Sequence, residues 1–146
     1  MDVLPEWPEG TVTVLSTGAG TPHAIPVSTA IRRGDRSLAF ALAVRRESLV
    51  RLRGDPRCAV TILAEGLSFT VHGRATVERE LERIVVVRVD VESIQDHASP
   101  RFEIDAGVAW HWTSDEAASG DAETRSALRG RDDDQLGDVD VRRGGD

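Results

Sequence analysis

The sequence predicts a mainly β fold: an antiparallel barrel of six to seven strands with a short internal helix and a C-terminal helix. Three observations predict it. Short segments rich in Val, Ile, Thr and Phe recur over residues 11–112, separated by turns carrying Gly, Pro and Asp. Alternation is clear in two of them, with Leu67, Phe69 and Val71 opposed to Ser68, Thr70 and His72, and Val85, Val87, Val89 and Val91 sharing one face. Helical patterning is confined to the residues around Leu49 and Leu52 and to those after Ser114.

Taken in order, residues 11–17 (TVTVLST) form the first expected strand and residues 18–22 a turn. Residues 23–31 (HAIPVSTAI) form the second. Pro26 has no N–H to offer a ladder, so this strand belongs at an edge, a bulge or a local opening. Arg33-Gly34-Asp35 turns the chain into an apolar run over residues 38–44. Arg45 and Arg46 follow, then a short helix that Gly54-Asp55-Pro56 stops. Residues 57–63 make the next strand, Ala64-Glu65-Gly66 a tight turn, and residues 67–78 a long strand in which Gly73 permits a bend. A plain hairpin tip at residues 79–82 leads into a return strand, 83–94. After an irregular stretch, residues 102–112 are expected to form a final strand with Trp110 and Trp112 on the same side. Ser114 fits an N-cap, with Asp115 and Glu116 where the helix dipole favours acids, and this helix should run to about Leu128. The expected organisation is one domain over residues 1–129, then an acidic tail over 130–146 (GRDDDQLGDVDVRRGGD) with too little apolar content to order itself.

Composition narrows the function. With 146 residues and 40% hydrophobic content the chain suits a soluble globular protein, and no apolar run approaches membrane-spanning length. The start, MDVLPEWPEG, carries acids and prolines where a secretory signal needs basic charge and then an apolar core. The single cysteine, Cys58, excludes an intramolecular disulfide and suits a reducing compartment, so a cytoplasmic location is expected. All 18 cations are arginine, and Lys, Asn and Tyr are absent, the mark of a high-GC genome. Net charge is −7, and it concentrates at the end, with ten acids against five arginines from Ser114 onward. Residues 1–113 hold fifteen acids against thirteen arginines. Neither part has the basic surplus of a nucleic-acid binder.

Few residues invite chemistry. Gly18-Ala19-Gly20 follows a strand, but Pro22 and a β-rich segment come next in place of the helix a dinucleotide site needs. There is no Gly-x-Ser-x-Gly elbow, and His23, His72, His97 and His111 lack ligand spacing, so neither a serine hydrolase nor a metal site is expected. No acid or base stands out as catalytic. Trp110 and Trp112 can stack on a ring-shaped ligand, fill a core or meet a second subunit. The sharper signal is the arginine pair. A helix N-terminus carries partial positive charge, so Arg45 and Arg46 beside it are unfavourable unless an anion joins them, which makes the turn a candidate phosphate cradle.

The segments combine into a recognisable order: a strand, a G-x-P-H-x-x-P-V strand, an apolar strand, a basic turn, a short helix ending L-R-x-D-P-R, a strand, a turn, and a strand carrying G-R-A. Over about residues 11–77 this order resembles the pyridoxamine 5′-phosphate oxidase-like flavin-binding split barrels, and DHASPRFEIDAGVAWHW resembles small members of that group. The resemblance implies a split β-barrel and a homodimer with FMN, or the deazaflavin coenzyme F420, in a groove between subunits. It implies that Pro26, Val27, Ser28 and Thr29 border the flavin ring, that Ala41 and Leu42 pack near the ribityl chain or ring, and that Ser68 reaches the cofactor from the side. The turn with Arg46, Glu47 and Ser48 would hold the phosphate, with Arg45 and Arg51 compensating for Glu47, which stands with Ser48 where the family carries basic residues. The basic C-terminal extension of true oxidases is absent, so oxidation of vitamin B6 is not expected. The implied function is an FMN-dependent oxidoreductase working by hydride transfer on a small molecule. The alternatives are an F420-dependent reductase or a dimeric binding or structural module without cofactor.

Overall fold

The computed structural model describes residues 1–137. The chain forms two compact units, Met1–Trp110 and the part from His111 onward. The first unit contains seven strands: β1 (Thr13–Thr17), β2 (His23–Val27), β3 (Ile31–Gly34), β4 (Ser37–Ala43), β5 (Arg57–Ala64), β6 (Leu67–Glu80) and β7 (Ile84–Asp96), with helix α1 (Glu47–Gly54) between β4 and β5. All pair antiparallel in one sheet of order β2-β1-β5-β6-β7-β4-β3. The two edge strands are consecutive in the chain, joined by residues 28–30. A sheet whose first and last strands share so short a link must curl on itself, and the unpaired seam makes it a split barrel.

Alternation decides which face fills the barrel. Leu15, Val60, Val71 and Ile94 lie opposite one another across β1, β5, β6 and β7, and all are buried. Phe40 on β4 lies opposite Val87 on β7, again both buried. Fully burying an apolar side chain of this size contributes about 1.5–3 kcal/mol. The N-terminal segment closes the core. Leu4 is buried, its N–H donates to Asp35 O and its carbonyl accepts from Arg32 Nε, each at 2.9 Å. Trp7 packs on Phe69 with ring centroids 6.1 Å apart, while its Nε1 donates to Ala30 O at 2.9 Å.

The long hairpin β6–β7 bends where its register shifts, at His72/Gly73 and again at Val77/Arg79. At the first shift the backbones come so close that a Cβ on Gly73 would overlap the Asp90 carbonyl oxygen and crowd Val89 Cγ1. No helix intervenes between β6 and β7, as the plain hairpin tip implied.

Four expectations change. Residues 23–31 are two strands, because the Thr29 hydroxyl takes up both the N–H and the carbonyl of Ala41 and the chain crosses from one sheet edge to the other. Pro26 sits in edge strand β2, where its missing N–H costs no ladder bond. Residues 102–112 form no strand: β5, β6 and β7 are paired on both sides, and the sheet's free edges lie at β2 and β3. That segment keeps one backbone tie into the hairpin turn, Gly66 N–H to Ile104 O at 2.9 Å. In the second unit, helix α2 (Asp115–Gly137) starts on the Ser114 cap, whose Oγ accepts from Ala117 N–H at 3.1 Å, but it passes Leu128. Gly130 does not end it, since a glycine inside a helix costs only about 1 kcal/mol relative to alanine. The expected tail over 130–146 thus begins on α2, and residues 138–146 lie outside the described residues. Among the described residues no helix is long and apolar enough to cross a membrane.

The close approach at Gly73 is testable. Gly73→Ala should lower unfolding free energy by about 2 kcal/mol or more, because backbone must move to admit the methyl group. Gly34→Ala on β3, where an added Cβ meets nothing within 4 Å, should change it by less than about 0.5 kcal/mol. Urea titrations of the two variants provide the comparison.

Candidate functional site

The seam between the sheet's edges is bounded at one end by the link 28–30 and at the other by α1. Thr29 holds the first end to β4: Ala41 N–H donates to its Oγ1 at 3.0 Å, and Oγ1 donates to Ala41 O at 3.3 Å. Neighbouring backbone alternates in direction. Pro26 and Ala41 lie outside the core, whereas Val27 and Leu42 are buried in it, with Val27 O accepting the Thr13 hydroxyl at 2.8 Å. Of the four, Pro26 and Ala41 are the ones whose side chains are not buried. Ser28 is half-buried within the link.

Helix α1 begins directly after the arginine pair. Arg46 is the N-cap residue, in extended conformation, and its side chain makes no cap hydrogen bond. The first helical N–H groups bonded back to Arg46 O are those of Leu49 and Val50. The start of the helix thus keeps donors of the kind that receive anions. Arg45 and Arg46 are exposed, and neither guanidinium enters a hydrogen bond or ion pair among the described residues. Two cations at the positive end of a helix, with no acid assigned to them, form an arrangement that an anion completes.

Glu47, the residue at odds with a phosphate, is already matched. Arg51 Nε lies 2.7 Å from its Oε2, one helical turn along, and the guanidinium holds the Glu47 carboxyl below its ordinary value. The same guanidinium reaches out of α1 through Nη1 to the carbonyls of Ala19 and Thr21, both at 2.6 Å. Arg51 therefore clasps the β1–β2 turn to the helix through Nε and Nη1. Ser48 is buried, and its Oγ is 3.0 Å from His23 Nε2 at the start of β2. His23 Nδ1 stands 4.0 Å from Glu47 Oε2. Ser48 and Arg51 thus build the wall that presents the helix terminus.

The other end of α1 explains the Asp55-Pro56-Arg57 motif. Asp55 N–H donates to Arg51 O at 2.8 Å, and its carboxylate accepts from Arg57 N, Nε and Nη2 at 3.1, 3.0 and 2.7 Å. These bonds push the Asp55 carboxyl down to about 2. Pro56 O then accepts from Ala75 N–H at 2.8 Å, tying the helix exit to β6.

Ser68 stands apart from these residues. It pairs with Leu63 at the start of β6, and β1 and β5 separate it from β2. The structure therefore gathers Thr29, Pro26 and Ala41 at the seam and Arg45, Arg46, Ser48 and Arg51 at α1, and leaves Ser68 on the far strands. His23 was not singled out from the sequence, because nothing in its spacing foretold its meeting with Ser48. The Glu47–Arg51 pair was legible as an i,i+4 spacing.

No family model matches the chain, and no curated protein matches it. Solved structures do. A candidate pyridoxamine 5′-phosphate oxidase from Listeria innocua superposes with a TM-score of 0.52 at 19% identity, covering 61% of this chain and 90% of that one. A FAD-binding protein from Mesorhizobium loti matches with a TM-score of 0.50 at 18% identity, over 57% of this chain and 81% of its own. An F420 reductase matches with a TM-score of 0.50 at 15% identity, over 60% and 90%.

Two outcomes are expected from the ends of α1. Arg51→Ala should cost about 1–3 kcal/mol in a denaturant titration, because the carbonyls of Ala19 and Thr21 and the Glu47 carboxylate lose their shared partner. For Asp55 the folded pKa lies below the unfolded one, so its contribution is present above the unfolded value and lost as pH falls through the folded value. Stability should therefore decline between about pH 4 and about pH 2, and Asp55→Asn should flatten that decline when melting is followed against pH. Seven antiparallel strands in this order, with α1 after β4, have the split-barrel fold seen in these solved structures, the candidate pyridoxamine 5′-phosphate oxidase among them.

Proposed function

We propose that the protein is an FMN-dependent oxidoreductase acting on a small molecule by hydride transfer, as a homodimer in the cytoplasm. The observation that carries the reading is the start of α1, an uncapped helix terminus flanked by two exposed arginines without partners among the described residues, beside an acid already matched by Arg51. In this reading the α1 N–H groups and the Arg45 and Arg46 guanidiniums bind the phosphate, with charge-assisted bonds of the kind arginine makes best. Pro26, Ser28, Thr29 and Ala41 form the seam against which the ring system lies, with Thr29 keeping β4 and the link at a set spacing. Bound flavin supplies the hydride chemistry, and the protein supplies orientation and electrostatics.

The homodimer is supported by the outward sheet face. Pro26, Val14 and Thr61 lie in one row across β2, β1 and β5, and Val14 and Leu63 are 38% and 42% exposed there. Apolar residues on an open sheet face suit a second subunit, and a partner's copy of that face would bring its Ser68 into play. Cys58 is buried, which pushes its thiol up to about 12 and suits it to packing in a reducing compartment.

Titration of the purified chain with FMN, followed by quenching of flavin fluorescence, tests the reading. FMN should bind at micromolar concentration or better. The double variant Arg45→Ala, Arg46→Ala should weaken FMN by about 10- to 100-fold while changing riboflavin, which has no phosphate, by less than about threefold. Absence of FMN binding at micromolar concentration overturns the proposal. Preferential binding of F420 would replace FMN by the deazaflavin, and binding of neither would leave a dimeric module without cofactor.

A further inference from the structure

A concavity of about 440 Å³ lies within the first unit, away from the arginines of α1, between the N-terminal turn, the β5–β6 hairpin tip and the extended segment after β7. Its volume falls in the range of small-molecule sites. Its walls are tied together by hydrogen bonds. Thr11 donates to Pro8 O through both N–H and Oγ1, at 3.2 and 2.6 Å, setting the turn in which Gly10 takes a positive φ of 86°. Trp110 Nε1 donates to Gly10 O at 2.9 Å, which fixes the indole as one wall. Gly66 N–H to Ile104 O holds the hairpin tip to the extended segment, and Gly107 passes so close that a Cβ there would stand 3.0 Å from Leu63 O.

The lining has one sign of charge. Its ionisable side chains are Glu9 and Glu65, and no arginine lines it, in a chain with 18 of them. Glu65 is exposed and enters no ion pair among the described residues. The remaining lining is small and, Thr11 aside, apolar, with Trp110 its aromatic ring. Carboxylates in the lining of a cavity repel a phosphate and attract a cation, and an indole face adds attraction for the same charge. We infer that this cavity binds a small organic cation, an amine carried on a flat apolar body, with the body against Trp110 and the ammonium toward Glu65. The inference does not rest on the flavin reading, and the site is distinct from the anion-receiving start of α1.

Titration of the full-length, ¹⁵N-labelled chain with 2-phenylethylamine tests it, read at the Trp110 indole N–H with Trp7 and Trp112 as internal references. The amine should shift Trp110, Gly66 and Gly107 resonances in a saturable manner. The isosteric anion 3-phenylpropionate should bind at least about tenfold more weakly. Glu65→Gln, at an exposed turn position that should not disturb the fold, should weaken the amine by about fivefold and leave 3-phenylpropionate unweakened. Trp110→Phe should weaken it by a comparable factor. Equal binding of amine and anion, shifts confined to other regions, no shift at millimolar amine, or Trp110 signals that respond only to protein concentration would each overturn the inference. The last would make the cavity part of a contact between copies of the chain.

Discussion

Everything in the first unit depends on the three residues that join one edge of the sheet to the other. With residues 28–30 linking β2 to β3, the seven strands cannot lie open, and the coiling natural to a twisted sheet becomes obligatory. The link is held from both sides. Thr29 binds the backbone of β4, and Ala30 O receives the Trp7 indole, whose ring packs on Phe69. The bend also has to be absorbed by the long hairpin. Its register shift at Gly73 lets β6 approach Asp90 where a side chain would not fit.

The candidate chemistry follows from where that closure leaves unpaired groups. A fully closed barrel would have no edge, whereas here β2 and β3 stop short of each other and α1 crosses at one end. The helix starts with its N–H groups and two arginines turned outward, while its other charged residues are spent on structure. Arg51 is committed to Glu47 and two turn carbonyls, and Arg53 to Glu80. This division separates arginines that hold the fold from arginines left to hold something else. In a chain where every cation is arginine, residue type alone could not draw that line.

Much of the fold was legible because local chemistry and long-range pairing agree. Alternation in Leu67–Val71 and Val85–Val91 foretold buried faces, Gly73 foretold a bend, Ser114 a cap, and Pro26 an edge, bulge or opening, of which the structure has the edge. Two of the misreadings share one cause. Residues 23–31 and 102–112 both have the composition of strands, but a strand needs a partner edge, and edge availability belongs to the whole sheet. Thr29 looked like one more β-branched strand residue, yet its hydroxyl substitutes for a ladder at the crossing. The N-terminal segment carried no strand or helix pattern, so its part in sealing the core through Leu4 and Trp7 was invisible.

The sequence by itself determined the element types, the order of turns, and the place where cations meet a helix start, since each depends on neighbours a few residues apart. Only the tertiary structure decided which of those cations stay free, that Ser48 is locked to His23, and that Glu9, Glu65 and Trp110 share a cavity. Those facts join residues 25, 56 or 100 positions apart, as in the pairs His23–Ser48, Glu9–Glu65 and Gly10–Trp110. Periodicity reports which face a residue occupies but not what stands opposite, because that depends on how the whole sheet curls.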